Sequence, residues 1–72
     1  MQTLTRSRHT HGRYCVAGHE LTAGDVVEFA DGEHIYAGRV EHDGLRYSIV
    51  CGDRRLPLAE LTQAKYVGSG RL

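Results

Sequence analysis

The chain has no tryptophan, one proline, one phenylalanine, one lysine and two cysteines among 72 residues, and its formal net charge is zero. Two cysteines are too few for the disulfide scaffold of a small secreted domain, so free thiols in a reducing compartment are expected. No apolar run approaches the roughly 18 residues of a membrane span. The opening "MQTLTRSRHTH" carries no apolar core of a signal peptide. A cytoplasmic protein without membrane association is therefore expected. There is no low-complexity tract or internal repeat, and 72 residues suffice for one small domain.

What is present points to strands. The apolar fraction is 40% and the charged fraction 25%, with nine glycines, four tyrosines and many valines. These proportions describe a globular chain built from short strands and tight turns. The zero charge hides an asymmetry: residues 1–19 carry Arg6, Arg8 and Arg13 and no acid, whereas residues 20–72 carry three more acidic than basic groups. Residues 1–12 show no hydrophobic period and are expected to form a flexible basic arm.

The segment "VVEFADGEHIYAGRVEHDGLRYSIVC" contains two Asp-Gly pairs, the strongest short signal for a hairpin. Taking Asp43-Gly44 as a two-residue loop sets Glu41 opposite Arg46, Val40 opposite Tyr47 and Tyr36 opposite Cys51. Tyr36, Val40, Leu45, Tyr47, Ile49 and Cys51 then share one face. Taking Asp31-Gly32 likewise places Val27 and Phe29 on that same face. The expectation is a three-stranded meander over about 25–30, 33–42 and 45–51. Val26, Ala37 and Val50 form a row on its opposite face, beside Ile35, Arg39 and Arg46.

Three strands do not close a core. "RYCVA" (13–17) supplies a first strand, and "AKYV" supplies a last one after a turn around Pro57. The fold expected is all-β, a small five-stranded SH3-like barrel spanning 13–68, with a tail at 69–72.

Several of these features resemble a known group. "GRYCVAGHELTAGDVVEF", "YAGRVEHDG", "YSIV" and "RLPL", within residues 12–61, are similar to an uncharacterised bacterial family of short proteins, domain of unknown function 5348. The resemblance implies the barrel and assigns no catalytic residue. It also implies the setting of a phage or other mobile element, where such families are frequent. Tyr36 stands where relatives favour tryptophan; its core role is kept, and a tryptophan-lined groove is not carried over from the resemblance.

Three functional classes follow. A binding face for a protein partner would use Val26, Ile35, Ala37, Arg39, Arg46 and Val50; the same face suits a homodimer. An accessory protein of a mobile element, such as an inhibitor of a host defence system, would need no more. A nucleic-acid interface would use Arg6, Arg8, His9, His11 and Arg13, joined by Arg54 and Arg55. Against it stand the zero charge and the single lysine, Lys65. Zinc would need His9, His11, Cys15 and His19, a spacing unlike the familiar zinc patterns, and Cys51 is sent to the core face. No cofactor is implied. Neither cysteine has a positioned histidine, Ser48 and Ser69 sit in no nucleophile elbow, and the glycines fall at turns. The reading ranked first is a non-enzymatic protein-binding module, as monomer or homodimer, with nucleic-acid binding second.

Overall fold

The computed structural model describes residues 1–70. Eight strands follow one another: β1 Gln2–Arg6, β2 Tyr14–Val16, β3 His19–Glu20, β4 Asp25–Asp31, β5 His34–His42, β6 Tyr47–Cys51, β7 Arg54–Pro57 and β8 Gln63–Ser69. A single 3-10 turn, Leu58–Glu60, precedes β8. All pairings are antiparallel, in the order β3-β2-β1-β8-β4-β5-β6-β7. Among the described residues no helix is long and apolar enough to cross a membrane.

The described residues are all-β, as the turn signals imply, but they form eight strands rather than five. The sheet curls upon itself: its extents are 33 × 24 × 23 Å, whereas a flat sheet is only about 10 Å thick. One core results. Val16, Leu21, Val27, Phe29, Val40, Ile49, Leu58 and Ala64 are buried, with Leu4, Tyr36, Tyr47 and Leu56 packed against them. Every strand from β4 to β8, together with β1 and β2, contributes to it.

The first correction concerns residues 1–12. Their opening half is not a flexible arm but β1, lying between β2 and β8. Leu4 packs on the core opposite Val16, and its N–H donates to the Thr62 carbonyl at 2.9 Å. One apolar residue flanked by threonines leaves no period to read, so main-chain pairing on both sides places this strand. The tail expected at 69–72 is corrected too: Ser69 belongs to β8 and the Gly70 N–H donates to the Gly24 carbonyl. Residues 71 and 72 lie outside the described residues.

The second correction concerns register. β4 and β5 pair Asp31 with His34, so the two-residue loop is Gly32-Glu33. Gly32 takes φ +67 and Glu33 a negative φ, the φ pattern of a type II′ turn, which asks for glycine first. β5 and β6 pair His42 with Tyr47, leaving the four-residue loop 43–46. There Asp43 Oδ1 accepts the N–H groups of Leu45 and Arg46, each at 2.9 Å, and this Asx closure displaces the shorter turn. Both hairpins thus slip by two residues from the expected register. Side chains repeat every second residue, so the faces survive and the partners change. Val27, Phe29, Tyr36, Val40, Tyr47, Ile49 and Cys51 stay on the core side. Leu45 does not: it lies in the loop, 91% exposed. Glu41 faces Ser48 rather than Arg46, and Ala37 faces Glu28.

Gly38 holds this arrangement together. A β-carbon there would lie 2.3 Å from Ile49 Cγ2 and 3.0 Å from the Val50 carbonyl oxygen. Ile49 fills that space itself. Gly38→Ala is expected to destabilise the fold by about 1–3 kcal/mol, read as a lower urea midpoint at unchanged slope. Removal of residues 1–6 is expected to abolish the cooperative thermal transition, because β1 joins β2 to β8. A truncated chain that melts like the full one would show β1 to be dispensable.

Candidate functional site

The side of the sheet away from the core carries a row that runs across four strands. Val26 on β4 pairs with Arg39 on β5, Arg39 with Val50 on β6, and Val50 with Arg55 on β7. Directly paired residues share a face, so the two guanidinium groups flank Val50, with Val26 beyond. Arg39, Glu41, Val50 and Arg55 line a shallow open hollow of about 500 Å³. Both valines are half-buried and both arginines exposed. Among the described residues neither the Arg39 nor the Arg55 guanidinium takes part in an ion pair or side-chain hydrogen bond.

Three residues anticipated for partner binding, Val26, Arg39 and Val50, are therefore brought together. The others are not. Ala37 sits beside Glu28, and Ile35, 66% exposed, faces Ala30 toward the far end of β5. Arg46 lies in the 43–46 loop near Asp43. The Asp43 carboxylate is held below the usual range by the N–H groups of Arg46 and Leu45, with smaller help from the charges of Arg46 and Arg55.

The residues anticipated for nucleic acid are scattered. Arg6 lies over the Tyr14 ring at 5.9 Å. Arg8, His9 and His11 occupy the loop between β1 and β2. Arg13 donates to Glu20 Oε1 and to the Tyr47 hydroxyl, each at 3.1 Å. Arg54 is tied to Asp31 at 2.6 Å and lies 5.4 Å from the Tyr36 ring. Arg54 and Arg55, adjacent in sequence, point to opposite faces of β7. Only Arg55 joins the row.

The anticipated zinc ligands also part company. Cys15 pairs with Thr5 and Glu20 in the sheet, His9 and His11 stay in their loop, and His19 stacks on Tyr66 with ring centroids 3.8 Å apart. Among the described residues no three His, Cys, Asp or Glu side chains gather as a ligand set. Cys15 and Cys51 are free thiols.

Two features were missed by reading the sequence, and only the first had a signal there. Arg55 reaches the row through the hairpin β6–β7, whose two-residue turn is Gly52-Asp53; a Gly-Asp pair is a recognised turn signal, and it stands there in the sequence. Glu20 has no such marker. Its carboxylate accepts the hydroxyl of Ser7, the hydroxyl of Thr10 at 3.1 Å and the guanidinium of Arg13. Ser7 Oγ accepts in turn from the N–H groups of His9 and Thr10. Glu20 thus fastens the 7–13 loop to the body.

Comparison with family models, curated proteins and solved structures gives no match.

The hydrogen bond from Ser7, followed by those from Thr10 and Arg13, holds the Glu20 carboxyl below its ordinary range against an opposing desolvation cost. A lowered folded-state value stabilises the chain above the unfolded value of about 4.3 and ceases to as pH falls through the folded one. The protection of the His9 and Thr10 amides, measured relative to the intrinsic exchange rate at each pH, is therefore expected to fall below about pH 4.3. Glu20→Gln is expected to show low protection of these amides at neutral pH with little further change in protection on acidification; unchanged protection would remove Glu20 as the fastener.

Proposed function

We propose that this chain is a non-enzymatic, SH3-like binding module whose Arg39–Val50–Arg55 face takes an acidic segment of a protein partner. The curled antiparallel sheet around one core, with the Pro57 turn before the last strand, supports the SH3-like reading. The observation that carries the function is the pair of unengaged guanidinium groups on either side of a half-buried valine. Arginine is enriched at protein interfaces and grips carboxylates through two parallel N–H bonds. Strands hold the two residues' main chain at fixed separation, so only the side chains are ordered when a partner docks.

A protein partner fits better than nucleic acid. Arg13 and Arg54 are engaged by Glu20 and Asp31, so neither extends the row. Glu41 lines the same hollow and opposes phosphate and carboxylate alike. What favours a protein segment is the half-buried Val50 between the two arginines, an apolar contact that a phosphate backbone does not use. The accessory role on a mobile element and the cytoplasmic setting are part of the proposal; the first rests on the sequence resemblance, the second on two cysteines that a reducing compartment keeps as free thiols.

The test compares a labelled peptide of alternating Glu and Leu with a labelled single-stranded oligonucleotide at two salt concentrations. Arg39→Glu combined with Arg55→Glu is expected to weaken peptide binding at least tenfold, and Val50→Glu to do the same, with circular dichroism unchanged. Tighter binding of the oligonucleotide with a steep salt slope would replace this reading by the nucleic-acid one.

A further inference from the structure

Strand β5 presents its outward side chains as an ordered series. Gly38 and Val40 are buried beneath it, so Ala37, Arg39 and Glu41 share the outer face. Alternate residues of a strand stand about 6.7 Å apart. Read along β5, the series is apolar, basic, acidic. The neighbouring strands reinforce each step. Glu28 on β4 is paired with Ala37 and, on its other side, with Lys65, which offsets its charge. Val26 and Val50 flank Arg39, and Arg55 adds a second cation beyond Val50.

Glu41 is the unexpected member. It is half-buried, and among the described residues its carboxylate takes part in no ion pair or hydrogen bond. Its direct neighbour on β6 is Ser48, whose buried hydroxyl has no hydrogen-bond partner and leaves the carboxylate unengaged. The hollow thus offers two free cations and one free anion around Val50. A purely acidic segment satisfies the arginines but sets a like charge against Glu41, and such juxtaposition disfavours binding.

We propose that the partner segment lies extended along β5 and reads apolar-x-acidic-x-basic, its three facing side chains over Ala37, Arg39 and Glu41. This inference rests on the reading of the arginine face as a site for an acidic protein segment, and it adds the basic residue that Glu41 requires. An extended chain repeats its side chains at the same spacing as β5, so the three contacts stay in step. The acidic residue meets Arg39 and Arg55 with its stem on Val50, the basic residue meets Glu41, and the apolar residue covers Ala37. Glu41 is then the specificity-determining residue of the face. It turns away polyanions, nucleic acid included, that the arginines alone would accept.

The test titrates the isotope-labelled full chain with end-blocked peptides and reads binding from the Arg39, Glu41 and Val50 amide shifts. Leu-Thr-Glu-Thr-Lys is expected to bind about two- to fivefold tighter than Leu-Thr-Glu-Thr-Glu, although the second is the more acidic. The isomer Leu-Thr-Glu-Lys-Thr turns its lysine away from the sheet and loses that advantage. Glu41→Gln removes the preference for lysine and Glu41→Lys reverses it, with circular dichroism unchanged. Failure of all three peptides to bind at millimolar concentration overturns the reading of the face, and this inference with it. Where the peptides do bind, three results overturn this inference alone: an acidic peptide as tight as the lysine peptide, an isomer equal to it, or a preference for lysine that survives Glu41→Gln.

Discussion

Ile49 rests over a stretch of backbone that carries no side chain, and much of the molecule follows from that contact. Because Gly38 leaves this space free, β6 approaches β5 closely and Ile49 pairs with Val40 in the core. Gly38 is also the partner of Val27, so the same position brings β4 into the arrangement. With these three strands fixed, Arg39 must fall opposite Val50, and the hairpin β6–β7 then sets Arg55 on the other side. The outer row is a consequence of how the inner face packs. A shift by one residue would bury the arginines and expose Val40 and Ile49.

This parity explains what the sequence could and could not convey. Hydrophobic alternation reports which face a side chain takes, and it did so for Val27, Phe29, Tyr36, Val40, Tyr47 and Ile49. It is blind to a slip of two, which leaves each face intact. Turn chemistry decides that choice, and an Asp-Gly pair admits more than one turn: Asp31 enters the strand, whereas Asp43 closes a longer loop. Hence Val26, Arg39 and Val50 were legible as neighbours on one face, while Ala37 was placed in their row in error. β1 and β3 were not legible, since one leucine among polar residues and a two-residue strand carry no period. β7 was half legible, because its turn was marked but its body, "RRLP", reads as a loop.

Charge is distributed by the same logic. A chain with no net charge can still leave cations available, provided its acids are engaged elsewhere. Glu20 is occupied by Ser7, Thr10 and Arg13, and Asp31 by Arg54. Such partly exposed ion pairs add little stability. Their effect is to decide which arginines remain for a partner. Adjacent residues 54 and 55 show this most clearly: strand alternation sends Arg54 to Asp31 and Arg55 to the open face beside Val50.

The handling of sheet edges completes the argument. At one end of the sheet β3 is only two residues long, and at the other β7 carries two arginines and ends on Pro57. Short length, charge and proline all discourage pairing with a further strand. β8 is an interior strand, paired with β4 on one side and with β1 at Gln63 and Ala64 on the other. Its Gly68 pairs with Val26, so β8 borders the outer row, and a partner on that row meets side chains rather than a free strand edge.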